Sequence, residues 1–413
     1  MTSTGRSPLI FIYVTRVIDA IGLGIVMPVL PQLLLHMGEP DVAAAVRMAG
    51  ILLVTYSVLQ FFCGPIIGNL SDRFGRRPVI LASLLAFAFD FTLMGFAPTV
   101  GWLFLGRAAA GVAGAVYVPA NAYVADVTLP ENRARAFGLI GSAFGLGFIL
   151  GPAIGGLLGQ LGPRAPFFAA AALAGANFLF GLFVLPESLP KERRRPFDWS
   201  RANPLGAVAQ LGRHTHVLGY ALAMTAFFVA NNVYPSTWAF FMTAKFHWSP
   251  GWIGLSLAAT GLAMALVQLG LVGRLVARFG EMNAAFLGLG FAVCSCLAYA
   301  LAREPWMVFA IIAVGALQAI AYPSLNALMS RATPGDAQGA LQGGVASLSS
   351  LANIVGPLAM TQTLAHFVAP GAAVYFPGAA FGLAAILNFV AVAVLFAQRT
   401  RAPAPAIVRL PSD

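Results

Sequence analysis

Three charged side chains stand where the surrounding sequence is oily. Asp19 lies in "RVIDAIGLGIVMPVLPQLL" (16–34), Asp90 in the apolar run 78–98, and Arg107 in "LGRAAAGVAGA" (105–115). Of fourteen acids only these two aspartates fall well inside apolar runs, and Arg107 reads as the single base there. A bare charge at a bilayer centre costs at least ~2.5–3.5 kcal/mol, so such a group faces a cavity, finds a partner, or binds a proton. Burial disfavours an ionised carboxylate and a neighbouring guanidinium favours it, so proton occupancy changes as water gains access from one side or the other. That is chemistry suited to coupling a proton to movement. The alternative is a permanent buried salt bridge between Arg107 and one aspartate, which leaves the other acid free to titrate.

The elements that must hold these groups are membrane helices. The chain has 413 residues, 59% hydrophobic and 9% charged, against roughly 45–50% and about 25% in soluble proteins. Twelve apolar runs are predicted, at about 8–35, 45–70, 78–98, 101–125, 136–160, 165–185, 216–243, 250–276, 283–302, 305–329, 338–363 and 372–397. Each is long enough to cross a hydrocarbon core about 30 Å thick and none alternates as a barrel strand would. The expected fold class is all-α and integral to the membrane. Nineteen of the 24 Lys and Arg, Arg16 among them, fall on the side of the termini, four on the other (Arg47, Arg164, Lys245, Arg303), and Arg107 within a helix. The positive-inside rule then places both termini in the cytoplasm. The net charge of +10 therefore reads as membrane orientation rather than nucleic-acid binding. The first run is too long for a cleavable signal peptide and contains Asp19. Cys63, Cys294 and Cys296 carry no disulfide or zinc pattern and read as packing residues.

A long basic connector splits the runs into six and six. The expected organisation is a six-helix bundle over 1–187, a linker over 188–215, a second bundle over 216–398 and a tail over 399–413. "GNLSDRFG" (68–75) recurs as "GRLVARFG" (273–280), Gly151-Pro152 as Gly356-Pro357, and Asn121 as Asn326, each at an offset of 205. Two such repeats facing each other enclose a cavity near the midplane that opens to alternate sides as one half rocks against the other.

"GNLSDRFGRRPV" (68–79) closely resembles the loop between helices 2 and 3 of the major facilitator superfamily. "GFILGPAIGG" (147–156) resembles the helix 5 motif of its drug/proton antiporter branch. Together with "LQFFCGPIIGNLSDRFGRRPV", "LGRAAAGVAGA" and "FGLGFILGPAIGG", the opening stretch resembles the tetracycline efflux antiporters, most strongly over 18–170. The resemblance implies twelve helices in two bundles, proton coupling at Asp19, Asp90 and Arg107, and a latch at Gly68, Asp72, Arg73, Gly75, Arg76 and Arg77, with Asp126 as the partnering acid. It also implies that Gly147, Gly151, Pro152 and Gly155 seal the interface between halves. The repeat copy has Ala277 in place of Asp72, so the second half is expected to lack the charge switch. Family members often carry an intramembrane His in helix 8 and an Asp in helix 9, where this chain aligns Met264 and Ala292.

Substrate-facing candidates are Gln60, Asn121, Asn231, Asn232, Tyr234, Trp238, Gln268, Gln318 and Asn353, with interhelical bonding the alternative use of each amide. The expectation is an antiporter of the bacterial inner membrane, energised by the proton gradient with no bound cofactor. Its substrate would be a small drug of tetracycline type, alone or as a magnesium chelate, with other amphipathic drugs as the second option and nutrient symport as a third. A monomer is expected from the resemblance. A nucleotide-driven pump lacks its G-x-x-x-x-G-K-[ST] loop, and an intramembrane enzyme lacks a catalytic cluster.

Overall fold

The computed structural model describes residues 6–129, 132–199 and 215–401. Residues 200–214 of the expected linker and 402–413 of the expected tail lie outside the described residues. Twelve helices are long and apolar enough to cross a membrane: α1 Leu9–Val26, α2 Val42–Phe74, α3 Arg76–Phe96, α4 Val100–Val127, α5 Ala136–Gly159, α6 Ala165–Val184, α7 Val217–Phe246, α8 Pro250–Gly270, α9 Val272–Leu301, α10 Pro305–Arg331, α11 Gln338–Val368 and α12 Ala379–Thr400. No strand occurs among the described residues.

The repeat is visible in the backbone. Gly75 follows α2 with φ 107°, and Gly280, 205 residues later, bends α9 with φ 76°. Both lie in the region that glycine alone enters freely. Four helices are interrupted in matched pairs. α1 ends at Val26 before a short helix Leu30–His36, and α7 breaks at Asn232, the repeat position of Met27. α4 breaks between Gly114 and Tyr117, and α10 tightens into a 3₁₀ stretch over Ala316–Ile320, with Ala115 mapping onto Ile320. Within the first half α1 packs on α5 and α3 on α6; within the second, α7 packs on α11 and α12, and α9 on α12. The halves meet where α5 touches α8 and α2 touches α11.

How they meet defines the shape. One apolar core, containing Ile25, Val29, Leu33, Ala49, Trp238, Phe241, Met360 and Phe381, runs through both halves at the end away from the termini. Towards the end that carries the termini the core divides by halves, into one cluster around Phe11, Ile80 and Tyr123 in the first half and two in the second, around Met224, Leu289 and Leu395 and around Val267, Ala284 and Ile320. A cleft therefore opens between the halves on the terminal side. α5 shows the same change along a single face. Near its far end a Cβ on Gly156 would meet the backbone of Pro250 and Gly254, whereas Gly145, Gly141 and Gly138, on the same face nearer the termini, have nothing within 4 Å.

The glycine stripe differs from expectation in its partner. Gly147, Gly151 and Gly155 pack against the backbone of α1, in their own half. The contact with the other half is made by Gly156 and by the Pro152 carbonyl, which faces Gly254 of α8. A spacing of four residues marks a smooth face without saying which neighbour fills it.

Candidate functional site

Both intramembrane aspartates are paired, in contrasting ways. Asp90, on α3, is fully buried, and its Oδ2 lies 2.5 Å from Arg107 Nη2 on α4. Its other oxygen, Oδ1, has no partner. It occupies the space over Gly106, where a Cβ would come within 2.5 Å. Arg107 also contacts Met94 Sδ at 3.0 Å.

Asp19, on α1, keeps 15% of its side chain exposed and sits 3.6 Å from Arg16, one turn earlier. Arg16 was expected at the surface with the other basic residues of the terminal side; instead it is buried within α1 at 6% exposure. So Arg107 is not the only intramembrane base. Two contacts hold Arg16 there: the carboxylate at i+3 and the ring of Tyr117 on α4, whose centroid lies 4.1 Å from the guanidinium. The R-x-x-D spacing puts the two on one helix face and was readable in the sequence. Tyr56 of α2 lies within electrostatic reach of both pairs, with its ring 5.8 Å from the Arg107 guanidinium and its hydroxyl accepting from Gln60 Nε2 at 3.2 Å.

Beside these pairs, between the halves, a cavity enclosing about 810 Å³, its open mouth included, is lined mainly by apolar side chains such as Met27, Leu30 and Leu53, with Arg107, Tyr234 and Trp238. Tyr234 accepts from Gln318 Nε2 at 3.1 Å, and Trp238 Nε1 donates to Ser256 Oγ at 2.9 Å. Tyr299 and Phe381 complete an aromatic box around these two, a cluster that composition alone did not single out among 32 Phe and 9 Tyr.

The remaining amides divide. Gln60 also donates to the Gly114 carbonyl exposed by the α4 break, and Asn232 donates to Ala352 O and Asn353 Oδ1, so these three residues tie helices together. Asn121 and Asn231 are half-buried and Gln268 is exposed on α8. Met264 packs at the rim of an apolar cluster and Ala292 is fully buried, so neither position offers a titratable group.

At the terminal end the expected latch residues converge. Arg76 Nη1 lies 2.5 Å from Asp72 and its Nε 3.4 Å from Asp126. The same guanidinium donates to Ser71 Oγ at 2.6 Å. Glu187 was not foreseen: its carboxylate accepts from the Arg76 backbone N–H at 2.8 Å, and a Cβ on Gly75 would run into it. Arg77 donates to the Leu182 carbonyl, Arg73 lies over the Phe74 ring, and Gly68 gives Val118 room.

The second half holds a different result from the one expected. At the repeat positions of Arg76 and Asp126 stand Glu281 and Arg331, and these form an ion pair of 2.7 Å. The absence of an aspartate at 277 is real, but a charge contact is present with its signs exchanged.

Two repeats of six helices, interrupted helices around a central cleft and buried charge beside it define a membrane transporter. The chain belongs to the Major Facilitator Superfamily, whose family model matches residues 12–357 and again 217–411. It is similar to the tetracycline resistance protein, class C, of Escherichia coli, with 42% identity over 87% of this chain and 90% of that one. It is also similar to the class G protein of Vibrio anguillarum, with 36% identity over 86% and 90%. Among solved structures, a bacterial homolog of the human lysosomal transporter Spinster superposes with a TM-score of 0.77 at 15% identity, covering 98% of this chain and all of that one. That likeness concerns the fold.

Proposed function

We propose that this chain is a proton-coupled antiporter of the bacterial inner membrane that exports tetracycline-type drugs by alternating access, with both termini in the cytoplasm. The observation that carries the reading is Asp19: a carboxylate one helical turn from the cavity-lining Gly22 and Leu23, part exposed, with its guanidinium partner at 3.6 Å rather than in close contact. A proton reaching Asp19 from outside neutralises it and frees Arg16. A substrate entering from the cytoplasm meets the deprotonated, paired form. Asp90, sealed against Arg107, holds α3 to α4 and supplies the second charge near Tyr56. The latch around Arg76 belongs to the same cycle, fixing the terminal ends of α2, α3 and α4 in one arrangement. The relatives named as tetracycline resistance proteins support the choice of substrate.

No cofactor enters this cycle, and the protein works as a monomer. The drug travels alone or as its magnesium chelate; chelating the metal in a transport assay separates the two, since uptake of the chelate stops in EDTA. A second reading, export of other amphipathic molecules, is favoured by the apolar and aromatic lining of the cavity and by the lack of acids among its lining residues.

Inverted vesicles with an imposed pH gradient test the proposal. Tetracycline accumulation that collapses with the gradient, and is absent in Asp19→Asn, is expected. Uptake indifferent to the gradient, or flux in the same direction as the proton, refutes antiport. Accumulation of unrelated amphipathic dyes but not tetracycline selects the second reading.

A further inference from the structure

The breaks in α4 and α10 are each followed at once by the same pattern. "YVPAN" begins at Tyr117 and "YPSLN" at Tyr322, so Tyr-x-x-x-Asn opens the helical segment after the break in both halves, at an offset of 205. Spacing of four puts each tyrosine and its asparagine on one helix face. Tyr117 is 48% and Tyr322 40% exposed, with Asn121 and Asn326 half-buried one turn further on. The two tyrosines belong to different halves, Tyr117 standing beside Arg16 of α1 and Tyr322 beside α7, and lie within electrostatic reach of each other. Tyr322 is flanked by Phe228 of α7, with ring centroids 5.8 Å apart.

These polar groups are left for something else to satisfy. Among the described residues, neither tyrosine hydroxyl nor the Asn121 amide has a hydrogen-bond partner, and Asn326 only accepts a 3.4 Å contact from Gln342. Irregular backbone at membrane depth survives only where it is covered by protein or lines a cavity, and discontinuous helices are where transporters of this architecture hold their cargo.

We propose that Tyr117 with Asn121, and Tyr322 with Asn326, form a two-fold-related clamp for a flat polycyclic substrate with hydroxyl and carbonyl edges. A tyrosine offers a broad rigid face, and an asparagine amide both donates and accepts, so it reads a carbonyl or a hydroxyl equally well. The clamp deepens the efflux reading and rests on it for the class of ligand. It also ties cargo to proton on one side only. The Tyr117 ring that would contact the substrate is the ring on which Arg16, the partner of Asp19, is packed. Tyr322 has no such cation over it among the described residues.

The experiment is tetracycline binding to the full chain in nanodiscs, read by drug fluorescence without a gradient. Asn121→Ala and Asn326→Ala are each expected to weaken binding about fivefold, and the pair together about twenty-fivefold, as for two independent hydrogen bonds. Asn283→Ala, an exposed amide bonded to its own helix, is expected to bind as the parent does, and thermal unfolding of all variants to stay unchanged. In inverted vesicles with an imposed pH gradient, Tyr117→Ala is further expected to lower drug moved per proton, whereas Tyr322→Ala changes affinity alone. A double asparagine variant that binds like the parent, or a loss confined to one half, overturns the clamp. If the parent chain does not bind tetracycline but binds the planar dye ethidium, the substrate reading fails while the same variants, assayed with ethidium, still judge the clamp. Binding of neither compound overturns both.

Discussion

Arg76 reaches Asp126 across the end of α4, and 205 residues later Glu281 and Arg331 occupy the same two places with acid and base exchanged. Deeper in the membrane the two halves part company. Asp90 and Arg107 form a sealed ion pair, while their repeat positions are Ser295, which bonds back to its own helix at Phe291 O, and the buried aliphatic Ile312. What the repeat keeps at the surface is a contact between a loop and a helix end, and either polarity serves. What it does not keep is charge at the core. The first half carries the ionisable groups, and the second offers Tyr234, Gln318 and Trp238, neutral groups suited to grip without titrating. Under the proposed function, proton work falls to the first half, while neutral groups of both halves are available to hold cargo.

The sharpest test of that division is Arg107→Ala. It leaves Asp90 buried and alone, which costs about 3–5 kcal/mol for the loss of one member of a buried pair. Ser295→Ala at the matched position removes one local hydrogen bond, worth about 1 kcal/mol. Thermal unfolding in detergent measures both, and equal losses would break the comparison. Next in size is Asp19→Asn. The fold is retained because the carboxylate is part exposed, gradient-driven drug accumulation falls to background, and gradient-free exchange continues. Met224→Leu, a volume-conserving change at the buried repeat position of Asp19, keeps gradient-driven accumulation. Loss of exchange together with accumulation in Asp19→Asn would show a packing role instead.

Gly156→Leu forces a side chain into the α5–α8 crossing, at a cost of about 1–3 kcal/mol for overpacking. It is expected to raise labelling of cysteines placed at the far end, which distances between spin labels on α5 and α8 would confirm. The smallest effect belongs to the second-half pair, whose arginine is exposed. Arg331→Glu shifts stability by about 0.5–1 kcal/mol, and exchanging both charges, Glu281→Arg with Arg331→Glu, restores the parent. If the exchanged pair stays as impaired as the single variant, polarity matters there and the lesson from the repeat fails.

The helices themselves were legible because hydropathy over twenty residues needs no tertiary information. The convergence of Asp72, Arg76 and Asp126 followed from motif resemblance, and the Asp90–Arg107 pair was one of two readings that charge cost allowed. Other features depend on how each helix is rotated about its axis, which hydropathy does not encode when every face is apolar. For that reason the glycine stripe of α5 was matched to the wrong neighbour, Gln60 and Asn232 turned out to bond between helices, and Glu187 joined the latch from a segment after α6. Arg16 was missed for a different reason. Its place near the chain start suggested a surface anchor, although Asp19 three residues on already marked its partner. The inverted pair was hidden because the repeat was followed only as far as identical residues ran, and Arg76 and Glu281 are the first place where the copies differ in sign.

The crossing of α5 over α8 is made by Gly156 and Gly254, backbone against backbone. A joint without side chains has no rotamers to release and no interlocking knobs to lift when one half tilts. In the alternating-access cycle proposed above, that pivot therefore adds little side-chain friction to the tilt.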